Sequence, residues 1–303
     1  MCLRSLRHNT LKMKTLIIDG NNLIHRTFWV AKNQSKRNPD TTAEETASLH
    51  IYFTLNAIFS YVNKYKPTKT IVVWDEKLDY KPNSNSRKLE YEGYKGNRSC
   101  DGSPHANNED IKRLLSNLGI PSIFPRDLEA DDIVAYICKT FAGNKVIISV
   151  DQDFLQLVNN STMMFDPIRK KEFVINKFEE MTGHTYENWL VVKCLQGDKS
   201  DNVPGIPGFG KVRVKKYLAG ENELTQEQQA IYDMNFSLFS LDKIDGLADE
   251  SKYYQDQLNV QVSSDWKQFI DECIQRKFDR ILNKRETWYT LFFQGNKLES
   301  ILG

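Results

Sequence analysis

Acids recur in this chain where an apolar strand runs out. Asp19 ends TLIID, Asp75 ends TIVVWD, and Asp151 and Asp153 close KVIISVDQD. Glu129, Asp131 and Asp132 crowd into LEADDIVAYI, directly after the weaker strand IPSIFP. A helix N-terminus favours acids by ~0.3–1 kcal/mol each. That accounts for one or two of the three, with Asp132 pointing away from the apolar stripe as a solvated cap. A lone strand-end Asp is ordinarily a turn former or a cap. Strand after strand delivering one to the same edge is not. Carboxylates gathered so closely repel one another, and stay ionised cheaply only with cations among them. Mg²⁺ is the natural partner, because it takes carboxylate oxygens and keeps several waters. His8, His25, His50, His105 and His184 are isolated and no C-x-x-C pair occurs, which disfavours zinc.

The elements that must position these acids alternate. Strands are expected at 15–22, 70–75, 120–125 and 145–153, with helical patterns at 43–65, 107–118 and 130–141. This order predicts an α/β fold, a twisted, mainly parallel sheet flanked by helices. In such sheets ligands bind beyond the carboxyl ends of the strands, where the acids lie.

The bulk numbers set bounds. The chain has 303 residues, 40% hydrophobic and 27% charged, with net charge +1, enough for one large domain or two smaller ones. No apolar run reaches the roughly 18 residues that span a membrane. The segment 1–12 is basic, lacks the apolar stretch of a signal peptide, and reads as an extension ahead of the first strand. Five scattered cysteines indicate a reducing, cytoplasmic setting.

Near-neutrality hides a segregation of charge. Residues 76–108 are polar and rich in Pro, Gly, Ser and Asn. Lys81, Arg87, Lys88, Lys95 and Arg98 are mixed there with Tyr80, Tyr91 and Tyr94. Such a mixture suits single-stranded nucleic acid, charges following phosphates and rings stacking on bases; a solvated linker is the alternative. Further on, the helical stretch 187–196 leads into GDKSDNVPGIPGFGKVRVKKYL, with Asp198 and Asp201 first, then Gly205, Gly208 and Gly210, then Lys211, Arg213, Lys215 and Lys216. GIPGFGK has the spacing of a P-loop, but Val212 stands where the Mg²⁺-binding hydroxyl belongs and no strand precedes it, so nucleotide hydrolysis is rejected. What survives is a glycine loop and helix start able to hold a backbone phosphate without reading sequence.

Taken together, IIDGNNLIHR, VVWD, EYEGYKGNR, LEADDIVAYI, SVDQDFLQL and GDKSDNVPGIPGFGKV resemble the flap endonuclease or 5′–3′ exonuclease family. That family includes the 5′ nuclease domain of bacterial DNA polymerase I and stand-alone phage enzymes. The resemblance covers roughly 15–220. The chain carries no polymerase domain, so the stand-alone phage type is the nearer likeness. The resemblance implies a PIN-like catalytic core over 13–185 with a helical arch at 76–108. It further implies a helix–hairpin–helix-like duplex-binding subdomain at 186–240, and leaves 241–303 as a helical region of unknown role.

It also implies roles. Asp19, Asp75, Glu129 and Asp131 match acids around a first metal. Asp151 and Asp153 match those bridging to a second, with Asp132, Asp198 and Asp201 on its side. Lys95 matches the active-site lysine, Tyr94 a ring that stacks on substrate, and Arg26 a basic residue near the scissile phosphate. Lys88 and Arg98 belong to the arch. Gly205, Gly208, Gly210, Lys211, Arg213, Lys215 and Lys216 form the duplex grip, with K⁺ on the carbonyls of 203–210. The implied cofactor is a pair of Mg²⁺ ions, with Mn²⁺ as a substitute. The implied partners are DNA with a 5′ flap or 5′ end, an RNA–DNA hybrid, and replication proteins such as a single-strand-binding protein or a polymerase, the enzyme itself a monomer. Two readings compete: 5′–3′ removal of RNA primers, and a non-catalytic structure-specific DNA-binding protein. A small-molecule phosphatase would need neither the basic segment nor the glycine loop.

Overall fold

A computed structural model describes residues 14–75, 87–95, 103–126, 128–244 and 247–294, with Lys88 by its backbone alone. The strands are β1 (Lys14–Asp19), β2 (Lys69–Val73), β3 (Ser122–Ile123), β4 (Asn144–Ile148), β5 (Thr162–Asp166) and β6 (Lys171–Phe173). The helices are α1 (Gly20–Ser35), α2 (Ala43–Tyr65), α3 (Arg87–Glu90), α4 (Asn108–Asn117), α5 (Ala130–Thr140), α6 (Phe178–Thr182), α7 (Trp189–Gln196), α8 (Lys211–Leu218), α9 (Gln226–Phe239), α10 (Ala248–Asn259), α11 (Trp266–Gln275), α12 (Asp279–Leu282) and α13 (Arg285–Tyr289).

The strands form one sheet in the order β3-β2-β1-β4-β5-β6, parallel throughout except for the antiparallel pairing of β6 on β5. β1 is central, and its four inner residues are buried, as an unbroken apolar run between two helical layers requires. Leu16 and Ile18 pack with α1, α2, α4 and α11, while Ile17 packs with α5 and α10. The order reverses at β1: β2 lies on one side of it and β4 on the other. Such a switch point opens a crevice at the carboxyl ends of the two strands. The sequence therefore delivers Asp19 to one lip and the 149–153 segment to the other.

The strands are shorter than expected. β1 stops at Asp19 because its side chain caps α1, accepting from the Asn22 N–H. β4 stops at Ile148 because Asp151 caps a 3₁₀ turn at Gln152–Leu157. β5 and β6 were not expected. The helices fare better: α2 follows its expected span, fixed at its start by a reciprocal cap between Thr42 and Glu45. The C-terminal region is a closing layer on the core. Phe269, Cys273, Phe278, Ile281, Trp288 and Phe292 join Ile51, Leu55 and Ile58 of α2 in one apolar cluster. No helix among the described residues is long and apolar enough to cross a membrane.

Candidate active site

The acids meet at the switch point, each on a rigid mount. The two oxygens of Asp19 accept from the Asn22 N–H at 3.0 Å and from the Ser149 hydroxyl at 2.7 Å, tying the end of β1 to the end of β4. Ser149 also accepts from the Asp151 N–H at 3.0 Å, and Asp151 from the Asp153 N–H at 2.9 Å. Asp75 lies two residues past β2. Its N–H donates to Asn21 at 3.1 Å, and its carboxylate accepts from Ala130 at the start of α5 at 3.4 Å. Glu129 precedes α5, and its Oε2 accepts from Lys95 Nζ at 2.8 Å and from the Tyr94 hydroxyl at 3.2 Å.

These groups act on one another. Burial pushes the Asp19 carboxyl up to about 6, with the charges of Asp151 and Asp75 adding to the push. Burial also holds Asp131 well above the usual carboxylate range; Asp151, Glu129 and Asp19 reinforce it and Lys95 offsets only part. Burial and Asp151 raise Asp153. Glu129 goes the other way: burial is outweighed by Lys95 and Arg87, and its carboxyl sits below the usual range. Negative charge is thus held in compressed form around Asp19, Asp131, Asp151 and Asp153, the condition that a bound cation relieves.

Among the described residues, no three His, Cys, Asp or Glu side chains close on one point as a finished metal site. Protein ammonium groups stand among the acids instead. Lys193 of α7 lies 2.6 Å from Asp153 and pairs with Asp198, while Lys95 pairs with Glu129. The donor set still suits a hard divalent ion, being all oxygen. Asp153 Oδ1 is buried with the Lys193 ammonium 2.6 Å away.

Two expectations need correction. Asp132, placed on the metal side, has both oxygens taken by Arg87, at 2.9 and 2.7 Å, and one of them also by the Glu129 N–H at 3.2 Å. The pair is buried, so Asp132 is a mount for Glu129 rather than a ligand. Tyr94, expected to stack on substrate, is 4% exposed, its ring packed with Cys194, Val203, Leu238 and Phe239. A ring so enclosed offers no face to a base.

Lys95 is placed by the loop that follows α7. Lys95 has φ +55°, and its N–H donates to the Asp201 carbonyl at 2.8 Å; Asn202, φ +58°, donates to the Gly93 carbonyl at 2.9 Å. The loop is closed by paired backbone bonds between Asp198 and Val203. Gly197 and Gly205 stand back to back there: a Cβ on Gly197 would meet Gly205 N at 2.3 Å, so both positions need glycine. Gly208, Gly210, Lys211, Arg213 and Lys216 line one open recess with Val212 and Asn222; Lys215 is exposed on the same helix. The carbonyls of Val203, Pro204 and Ile206 already accept hydrogen bonds from Asp198, Asn235 and Phe209. Arg26 is held one turn into α1 by Asn22 at 2.9 Å and by Tyr61. Arg98 and the Lys88 side chain lie outside the described residues, as does most of the expected arch.

Sequence reasoning missed Arg87 as an anchor, Lys193, and Ser149. Ser149 sits inside SVDQD and its spacing could have found it; Asp198 lies five residues from Lys193 and was also within reach, whereas Asp132, the partner of Arg87, lies 45 residues away and Asp153 is brought to Lys193 only by the fold.

Comparison with known proteins agrees with this geometry. Residues 14–185 match the 5′-3′ exonuclease, N-terminal resolvase-like domain family. A 5′-3′ exonuclease of Aquifex aeolicus is 33% identical over 221 residues, covering 70% of this chain and 73% of that protein. The flap endonuclease Xni of Tolumonas auensis is 29% identical, covering 70% and 79%. The crystal structure of the T5 D15 protein with metal ions superposes with a TM-score of 0.59 at 22% identity, over 81% of this chain and 98% of that one, a likeness of fold. The chain belongs to the 5′–3′ exonuclease family of structure-specific 5′ nucleases, on a PIN-like fold.

Proposed function

We propose that the chain is a divalent-metal-dependent 5′ nuclease that cuts DNA at 5′ ends and flap junctions. The observation that carries this reading is the compressed set of carboxylates at the switch point, with Asp19 of β1 bonded to Ser149 beyond β4.

Asp19, Asp75, Glu129 and Asp131 would hold one Mg²⁺; Asp151, Asp153, Asp198 and Asp201 would hold the other. When bound, such a pair supplies an activated water and positive charge for an in-line displacement at phosphorus. The carboxylates bind and orient; none is placed as a nucleophile. Lys95, fixed at the cluster by Glu129 and by the Asp201 carbonyl, brings a permanent charge to the phosphate being cut. Arg26, held on α1 by Asn22 and Tyr61, would add a second positive charge near that phosphate. The recess at Gly208–Gly210 with Lys211, Arg213 and Lys216, and Lys215 beside it, takes backbone phosphates of the duplex without reading bases. Domain assignments follow: a core over 13–185, a duplex grip over 186–240, and a closing helical layer beyond. A K⁺ ion at 203–210, Mn²⁺ as a substitute, replication partners and a cytoplasmic setting rest on the resemblance.

Removal of RNA primers from hybrids uses the same groups, since the described site carries no feature aimed at a 2′-hydroxyl. The test is a 5′-end-labelled flap duplex incubated with Mg²⁺, with Mn²⁺ and with EDTA. Cleavage at the junction that needs the metal supports the reading. Binding without cleavage under both metals would overturn it in favour of a structure-specific binding protein.

A further inference from the structure

Lys193 has no role in the reading above, yet its surroundings are unusual for a lysine. It lies on α7, is 9% exposed, and its ammonium sits 4.8 Å from the centre of the Phe239 ring. Burying an ammonium is costly unless carboxylates meet it. Here two do, from separate elements: Asp153 on the 3₁₀ turn after β4, at 2.6 Å, and Asp198 on the gripping loop. Its reach is fixed at the base, because α7 is locked by the Gly197 N–H on the Lys193 carbonyl at 2.8 Å and by Asn235 on Cys194. Asp198 in turn is oriented by Ser200, whose N–H and hydroxyl both donate to its other oxygen.

We infer that Lys193 is a built-in counter-cation of the second metal position: its ammonium holds the oxygens of Asp153 and Asp198 that a divalent ion needs, so that ion loads only by displacing it. This deepens the two-metal reading and rests on it. Lys193 donates to Asp198 Oδ2 and lies 2.6 Å from Asp153 Oδ1, so one ammonium is shared between the two carboxylates. One positive charge competes with two, on an unbranched stem with three rotatable donors that can swing aside. The consequence is an asymmetry between the two positions. In the first set Lys95 pairs with one acid alone, Glu129, so the first ion meets a cation at the edge of its site, whereas Lys193 stands between two acids of the second. The second enters against an internal cation, and its affinity is set by Lys193 as much as by the acids.

The experiment uses Mn²⁺ alone, without DNA, on the full chain. Binding is followed by electron paramagnetic resonance, and stability by thermal unfolding with and without Mg²⁺. Wild type is expected to bind one ion tightly and a second weakly. Lys193→Met, which keeps the stem and removes the charge, is expected to bind the second ion about ten-fold tighter or more, since a unit of opposing charge leaves the site. It should also melt lower than wild type without metal and regain most of the difference with Mg²⁺. Lys193→Arg keeps the charge and should retain the weak second site. It also serves if the Met variant fails to fold, because an Arg variant with tightened second-ion binding would refute a competing charge. Unchanged or weaker second-ion binding in Lys193→Met overturns the inference and leaves the two-metal reading standing. Absence of a second ion in wild type and in both variants overturns that reading, and the inference with it.

Discussion

The guanidinium of Arg87 grips the carboxylate of Asp132 at 2.9 and 2.7 Å, 45 residues away in the chain, with both groups out of water. It also lies 3.2 Å from Glu129, and it donates to the carbonyls of Leu238 and Ser240 at 2.7 and 3.3 Å. One side chain thus joins the base of the basic segment, the acidic helix α5 and the end of α9. Removing either charge leaves the other buried and unpaired. Arg87→Ala and Asp132→Asn are each expected to cost about 3–5 kcal/mol of stability, measured by chemical unfolding. Asp132→Asn, where it folds, should still bind Mn²⁺ with wild-type stoichiometry. Loss of an ion at unchanged stability would restore Asp132 to the ligands.

Tyr94 separates packing from stacking. Its ring fills a buried cluster and its hydroxyl meets Glu129 at 3.2 Å. Tyr94→Phe should cost about 0.5–1.5 kcal/mol for the lost hydrogen bond, and Tyr94→Ala about 3–5 kcal/mol for the cavity. Flap affinity, read by fluorescence anisotropy, should be unchanged in the Phe variant. A stacking role would give the opposite pattern: Tyr94→Ala would lose affinity and keep its melting temperature.

His50 links the α1–α2 packing to pH. Nε2–H donates to the Ile24 carbonyl at 3.0 Å and Nδ1 accepts from Asn107 at 3.0 Å, a neutral imidazole with both nitrogens in use. Burial lowers its pKa to about 4. The unfolded chain titrates near 6.5 and so binds a proton that the folded chain refuses. Stability from this group is full above about 6.5 and falls with acidification by up to ~1.4 kcal/mol per pH unit, levelling off below about 4. Urea unfolding of wild type and His50→Gln across that window checks the sign: the variant should lose less stability on acidification.

The sheet and the acids were legible because both depend on short stretches. TLIID and KVIIS are unbroken apolar runs ended by Asp or Ser, and a central parallel strand needs nothing more. α2 announced itself through a long apolar period over 43–65, while its Thr42–Glu45 cap is seen only in the fold. β6 was illegible: KEF is a three-residue edge strand with two exposed positions, too short to show alternation. Partnership was illegible too. In the sequence, Asp132 is one acid among three and Tyr94 one ring in a basic loop. Only the fold brings Arg87 onto the first and Leu238 and Phe239 around the second. Lys193 reads as a solvated helix lysine until α7 is laid against the turn that carries Asp153.

The proposed hydrolysis rests on the carboxylates at the switch point. Asp151→Asn is the most informative variant, because Asp151 raises both Asp131 and Asp153 and caps the 3₁₀ turn between β4 and β5. Cleavage of a 5′-labelled flap duplex in Mg²⁺ and flap binding in EDTA should be measured side by side for wild type and variant. The expected result is cleavage slower by about 10²–10³-fold or more with binding intact. Cleavage at the wild-type rate by a folded Asp151→Asn protein would contradict this role for the carboxylates.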